Sequence, residues 1–174
     1  MNLKFLEIFG VAEEDDYAKR AILTPTNVDS LAINEEVLDR LPSNVKVFLS
    51  AYTIDTDNLN KINNFHVEFL NSLTPSMPVH CLKLKIGAVI MLLRNSILKA
   101  GLCNGTRIMV RALQNNYIDG QVLIGVSDGK TVFVPRVYLT QSDSNLSFTL
   151  KHRQFPVRLA YSMTINKSQG QTFD

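Results

Sequence analysis

Phe155-Pro-Val-Arg-Leu-Ala-Tyr-Ser-Met-Thr-Ile-Asn-Lys-Ser-Gln-Gly170 decides how this chain is read. Through Ile165 the stretch is mostly apolar and of strand length, and after it the side chains turn polar and end at a glycine. Such a switch marks a buried strand whose carboxyl end opens into a loop. Thr164, Asn166, Lys167, Ser168 and Gln169 set hydroxyl, amide and ammonium groups side by side, and Gly170 permits close backbone approach. That set suits contact with a phosphodiester chain or a nucleotide. A plain strand-to-helix loop capped by Ser168 or Asn166 fits the same residues.

Working outward, a second buried-strand signal lies in Arg20-Ala-Ile-Leu-Thr-Pro-Thr-Asn27, where Thr-Pro-Thr-Asn stops the run. Thr26 or Asn27 can cap the segment Val28–Leu41, whose Val28, Leu31, Ala32, Val37, Leu38 and Leu41 approximate a helical face. Val45–Leu49 reads as a strand, and strand–helix–strand is the unit of parallel α/β sheets. Residues 52–80 are polar and turn-rich, with a helical candidate at Val67–Leu73, and residues 1–19 form a lead-in of rough helical spacing followed by an acidic run. From Leu82 the period shortens. Runs at 84–93, 106–113, 117–124, 130–134 and 136–139 are separated by turns at Asn104-Gly105, Asn115-Asn116 and Asp128-Gly129. Short strands at that spacing predict a small antiparallel meander or barrel. The fold class expected is α/β, with an all-β insert of roughly sixty residues.

The 174 residues carry a net charge of +2, unevenly spread. Residues 1–80 hold 6 basic against 12 acidic side chains, and residues 81–174 hold 12 against 4. A basic half is what a polyanion-binding surface requires, and equally what a solvated surface looks like. The longest apolar run, Ile86–Leu93, is too short to span a membrane, and the acidic residues near the N-terminus argue against a signal peptide. Cys81 and Cys103 lack metal-ligand spacing, so reduced thiols in an intracellular protein that is not secreted are expected.

Catalytic constellations are thin. Gly125-Val-Ser-Asp-Gly-Lys-Thr131 has three residues between its glycines where a phosphate loop needs four, and a strand-like run follows it; Asp128-Gly129 reads as a hairpin turn. His66, His80 and His152 are scattered and read as surface or loop residues, and no nucleophile motif occurs. No catalytic residue and no metal ligand is assigned.

With these residues in hand, Phe155–Thr172 resembles the fifth motif of Pif-type DNA helicases of superfamily one, in the form carried by Helitron transposons. Three further stretches agree in order. Arg20–Asn27 resembles the fourth motif, Glu68–Leu73 with Leu82–Asn95 resembles the approach to the family's insertion, and Gly101–Arg107 with Val132–Arg136 resembles its SH3-like barrel. The resemblance implies a partial RecA-like parallel-sheet domain, residues 20–82 and 141–174, interrupted by a small antiparallel SH3-like β-barrel at 83–140, after the lead-in at 1–19. In such helicases ATP with Mg lies between two RecA-like domains, and cleft motion ratchets single-stranded DNA 5′ to 3′.

By this resemblance Thr26, Asn27, Thr164, Asn166, Lys167 and Ser168 hold the sugar-phosphate strand, and Gln169 and Gly170 couple that grip to the nucleotide cleft. Many relatives carry histidine where Asn166 stands, and Asn keeps hydrogen bonding without ring stacking or charge. Asn95, Asn104 and Arg107 fit the barrel base, as DNA contacts or as turn and solvent-exposed strand residues. The chain lacks a Walker lysine, magnesium carboxylates and the sixth motif, so it is expected to bind neither ATP nor Mg alone and to hydrolyse nothing. The partners implied are single-stranded DNA and the missing N-terminal RecA-like domain, with a nuclear location, roles in DNA repair, recombination and telomere maintenance, and no membrane. Ending at the fifth motif implies an unpaired sheet edge and marginal stability. The alternatives are a stand-alone single-stranded nucleic-acid-binding module and a degenerate transposon-derived fragment.

Overall fold

The computed structural model describes residues 20–55, 79–95, 102–123, 127–141 and 149–165. The helical candidates at 1–19 and 67–73 lie outside the described residues. Twelve strands and one helix are described, in the order β1 (Ile22–Thr24), α1 (Asn27–Arg40), β2 (Lys46–Leu49), β3 (Ala51–Asp55), β4 (Cys81–Leu84), β5 (Val89–Leu92), β6 (Arg107–Leu113), β7 (Tyr117–Val122), β8 (Thr131–Pro135), β9 (Val137–Gln141), β10 (Thr149–Gln154), β11 (Val157–Leu159) and β12 (Ser162–Thr164).

Four sheets result. β1 pairs with β12 in parallel, β2 with β4 antiparallel, β3-β10-β9 form a three-stranded sheet, and β11-β5-β6-β7-β8 form a five-stranded antiparallel one. The strand–helix–strand unit read at 20–49 is therefore corrected. β2 does not lie beside β1, whose parallel partner comes from the far end of the chain. The apolar stretch 155–165 is two strands, broken at Ala160-Tyr161, and the first of them closes the edge of the five-stranded sheet against β5. β9 leaves that sheet and pairs with β10 instead. β3, which runs into the region read as turn-rich, is a five-residue Ala-Tyr-Thr-Ile-Asp run with no alternation over its full length and no apolar run longer than two.

α1 starts where Thr26 caps it, the hydroxyl accepting the Asp29 N–H at 3.2 Å, with Asp29 in the first turn favoured by the helix dipole. It stops at Leu41, ahead of Pro42. Its buried face is Ser30, Asn34, Val37 and Leu38. Val28 and Leu31, read as part of the apolar face, are 75% and 60% exposed. The predicted face was rotated because two buried positions are polar.

β5 is buried at every position, because Val89 and Met91 face one core and Ile90 and Leu92 the other. The first core gathers α1's Leu38 with Phe48, Leu84, Ile108, Ile118 and Phe155. The second joins α1 to the strand pair through Val37, Tyr161 and Met163. A strand neighboured on both edges and packed on both faces reads as a continuous apolar run, as this one did.

Candidate nucleic-acid interface

The parallel pairing runs in register, Ile22 with Ser162, Leu23 with Met163 and Thr24 with Thr164. Both strands therefore end at one level, and the Pro25-Thr26-Asn27 turn and the segment after Thr164 leave from adjacent carboxyl ends. That is where open α/β sheets bind ligands. Thr24 ties the two ends together, its buried hydroxyl sharing one proton between Thr26 O at 3.1 Å and Met163 O at 3.3 Å.

Of the residues assigned to the strand grip, Thr26 and Asn27 are exposed at the start of α1 and Thr164 is 8% exposed at the end of β12. Thr26 is committed locally, because its hydroxyl also donates to Asp29 Oδ2 at 2.6 Å. In the first turn behind it the Asp29 N–H is already taken by Thr26, which leaves the N–H groups of Asn27 and Val28 without an intrahelical acceptor. Asn166, Lys167, Ser168, Gln169 and Gly170 lie outside the described residues.

Two residues that the sequence reading passed over hold this edge. Asn34 Oδ1 accepts the N–H groups of Tyr161 and Ser162, each at 2.9 Å, and Asn34 Nδ2 donates to Ser162 O at 3.0 Å. Ser30 Oγ donates to the same carbonyl at 3.0 Å. The available signal was a polar pair spaced i, i+4 within an otherwise apolar helical stripe.

Arg107 also departs from expectation. Read as a barrel-base or solvent-exposed strand residue, it is 3% exposed, and its Nη2 donates to Arg20 O at 2.8 Å and Ala160 O at 3.0 Å. Burial lowers its pKa to about 10, against a smaller opposing effect of Tyr161. Asn104 stands in an exposed turn, and its N–H donates to Oδ1 of Asn95, also exposed, at 2.8 Å. His152, read as surface or loop, is a fully buried strand residue, and His80 is half-buried with Nδ1 2.6 Å from Ser50 Oγ.

Around Asp128-Gly129 the N–H of Gly129 bonds Val122 O and that of Lys130 bonds Ser127 O, while Gly129 takes φ 75°. Those N–H groups close the β7–β8 hairpin and do not cradle an anion. No cluster of three His, Cys, Asp or Glu side chains that could hold a metal ion occurs among the described residues. Cys81 and Cys103 are free thiols, and no described helix is long and apolar enough to cross a membrane.

A family model described as the 2B domain of DNA helicase Pif1 matches residues 68–113. The human ATP-dependent DNA helicase PIF1 is 30% identical over 154 residues, 86% of this chain and 21% of the relative. The Bdellovibrio bacteriovorus ATP-dependent DNA helicase Pif1 is 30% identical over 162 residues, 93% of this chain and 33% of the relative. The chain thus spans between about a fifth and a third of the curated relatives it matches. The solved structure of unliganded Pif1 from Bacteroides sp superposes with a TM-score of 0.63 at 26% identity, covering 91% of this chain and 46% of that one. Sequence and fold together place the chain with the Pif1-like DNA helicases, as the counterpart of one portion of them.

Proposed function

We propose that this chain is the strand-gripping portion of a Pif1-like helicase, the Thr26-Asn27 turn and the Thr164–Gly170 segment forming one ledge for single-stranded DNA. Residues 20–82 and 141–174 then make up the second RecA-like domain, and residues 83–140 the SH3-like insert. Thr26, Asn27, Thr164, Asn166, Lys167 and Ser168 hold the sugar-phosphate strand, and Gln169 and Gly170 face the nucleotide cleft. ATP and Mg serve the whole helicase, whose first RecA-like domain supplies the phosphate cradle; from this chain come binding and orientation of the strand. A nuclear role in DNA maintenance and a Helitron-like ancestry for the fifth motif belong to the same reading.

The observation that carries the proposal is the register of β1 against β12, which starts both segments from Thr24 and Thr164, side by side. The test is anisotropy of a labelled oligo-dT against the 174-residue chain over a salt series. Lys167→Ala is expected to weaken binding several-fold and to reduce the slope of log K against log salt by about 0.7, the loss of one phosphate contact on a single strand. An unchanged slope with unchanged affinity would remove Lys167 from the ledge.

A further inference from the structure

We infer that Asn34, assisted by Ser30, is a positioning residue for the strand-gripping ledge, holding the end of β12 at a fixed height against the start of α1. The inference rests on the reading of that ledge given above. Among the described residues β12 has one strand neighbour, β1. The N–H of Ile22 bonds Tyr161 O at 2.9 Å on that side. In a parallel ladder the N–H and C=O of the paired residue Ser162 then point the other way, to the edge that β1 does not cover.

Asn34 covers that edge. Its amide offers the same two groups that a neighbouring strand would, a carbonyl oxygen for the Ser162 N–H and an N–H for the Ser162 carbonyl. The Tyr161 N–H shares the carbonyl, and Ser30 adds a second donor to Ser162 O. Asn34, Ser30 and Ser162 are all buried, so none of these bonds is exchanged for water at low cost.

The placement has a consequence for the ledge. Asn34 lies two turns into the helix that Thr26 caps, about 10 Å along its axis. Ser162 lies two residues before Thr164. The same rigid helix therefore presents Asn27 at its tip and clamps β12 from its side. β1 fixes the two segments laterally through Thr24, and Asn34 fixes them in depth. Nothing in this arrangement brings Asn34 to the DNA, so its effect on binding is one of geometry.

The experiment uses the full chain and three variants, Asn34→Leu, Asn34→Asp and Ser30→Ala. Amide hydrogen exchange at Tyr161 and Ser162 is read alongside oligo-dT affinity over a salt series. Asn34→Leu is expected to raise exchange at both amides at least tenfold and to weaken binding about tenfold, with the salt slope of the wild type retained because no phosphate contact is lost. Asn34→Asp keeps an acceptor for both N–H groups and is expected to retain their protection with a smaller loss of affinity. Should Asn34→Leu fail to fold, Ser30→Ala, which removes one donor to Ser162, is expected to show the same pattern at about twofold. The inference is overturned if a variant with accelerated exchange binds as the wild type does, or if its salt slope falls as in Lys167→Ala, which would make Asn34 a DNA contact. A wild-type chain that does not bind oligo-dT at all overturns the strand-grip reading itself, and exchange at Tyr161 and Ser162 separates the two failures.

Discussion

His152 has both ring nitrogens buried without a hydrogen-bond partner among the described residues and stacks on Tyr52, ring centroids 4.6 Å apart. Burial first, then the nearby His80 and Arg136, lowers its pKa from 6.5 to about 4. The unfolded chain therefore takes up a proton between pH 6.5 and 4 that the folded protein refuses, so stability is whole above pH 6.5 and falls as the pH drops through that window. The loss at pH 4 is on the order of 3 kcal/mol. Thermal unfolding followed by circular dichroism should show a falling Tm over that range in the wild type, and a flatter profile for His152→Phe. A profile of equal steepness in the variant would assign the effect elsewhere. Beside it, Gln154 is fully buried, its amide donating to Phe48 O at 2.9 Å and His80 O at 3.2 Å and its carbonyl accepting the Phe155 N–H at 3.0 Å. Neither residue was legible as buried, because a lone polar letter in a short mixed run carries no periodicity.

At the scale of elements, β6 and β7 meet closely at Gly120. A Cβ there would overlap Ile108 Cγ2 and lie 2.9 Å from Met109 O, with backbone on one side that cannot move aside. Gly120→Ala is expected to cost about 2–3 kcal/mol by overpacking, read as a lower urea midpoint with an unchanged m-value. One register step away the β6–β7 ladder shifts between Val110 and Ala112, a bulge that leaves Arg111 exposed and hydrogen-bonded through Nε to Gln121 Oε1 at 3.1 Å. The hairpin strands β6, β7 and β8 were legible, because short apolar runs set off by the Asn104-Gly105, Asn115-Asn116 and Asp128-Gly129 turns are local signals. Pairings between distant segments were not. β2 with β4, β3 with β10 and β11 with β5 depend on which edges the tertiary structure leaves open, and no stretch of letters states that. The helix existed where its cap and its proline said, yet its face was misread because Ser30 and Asn34 are buried for their hydrogen bonds.

At the scale of the molecule, Arg107 joins the five-stranded sheet to the strand pair, reaching from β6 to the carbonyls before β1 and before β12. Its Nε and Nη1 are buried without an acceptor, and among the described residues the guanidinium is held by backbone carbonyls. Arg107→Met is expected to destabilise the chain by about 2 kcal/mol, two charge-assisted bonds lost against some relief of the buried charge, measured by urea unfolding. A variant as stable as the wild type would mean that the relief cancels the bonds. Of the ledge, the adjacency of the Thr24–Asn27 turn and the end of β12 was expected only through the family resemblance, whereas the support of β12 by Asn34 needed coordinates. The two-residue bridge Ala160-Tyr161 between β11 and β12 is pinned at both ends, Ala160 N–H to Val89 O at 3.0 Å and Tyr161 Oη accepting the Val89 N–H at 3.1 Å. Both bonds end on one residue of β5, so a single joint at Val89 couples the strand pair to the five-stranded sheet.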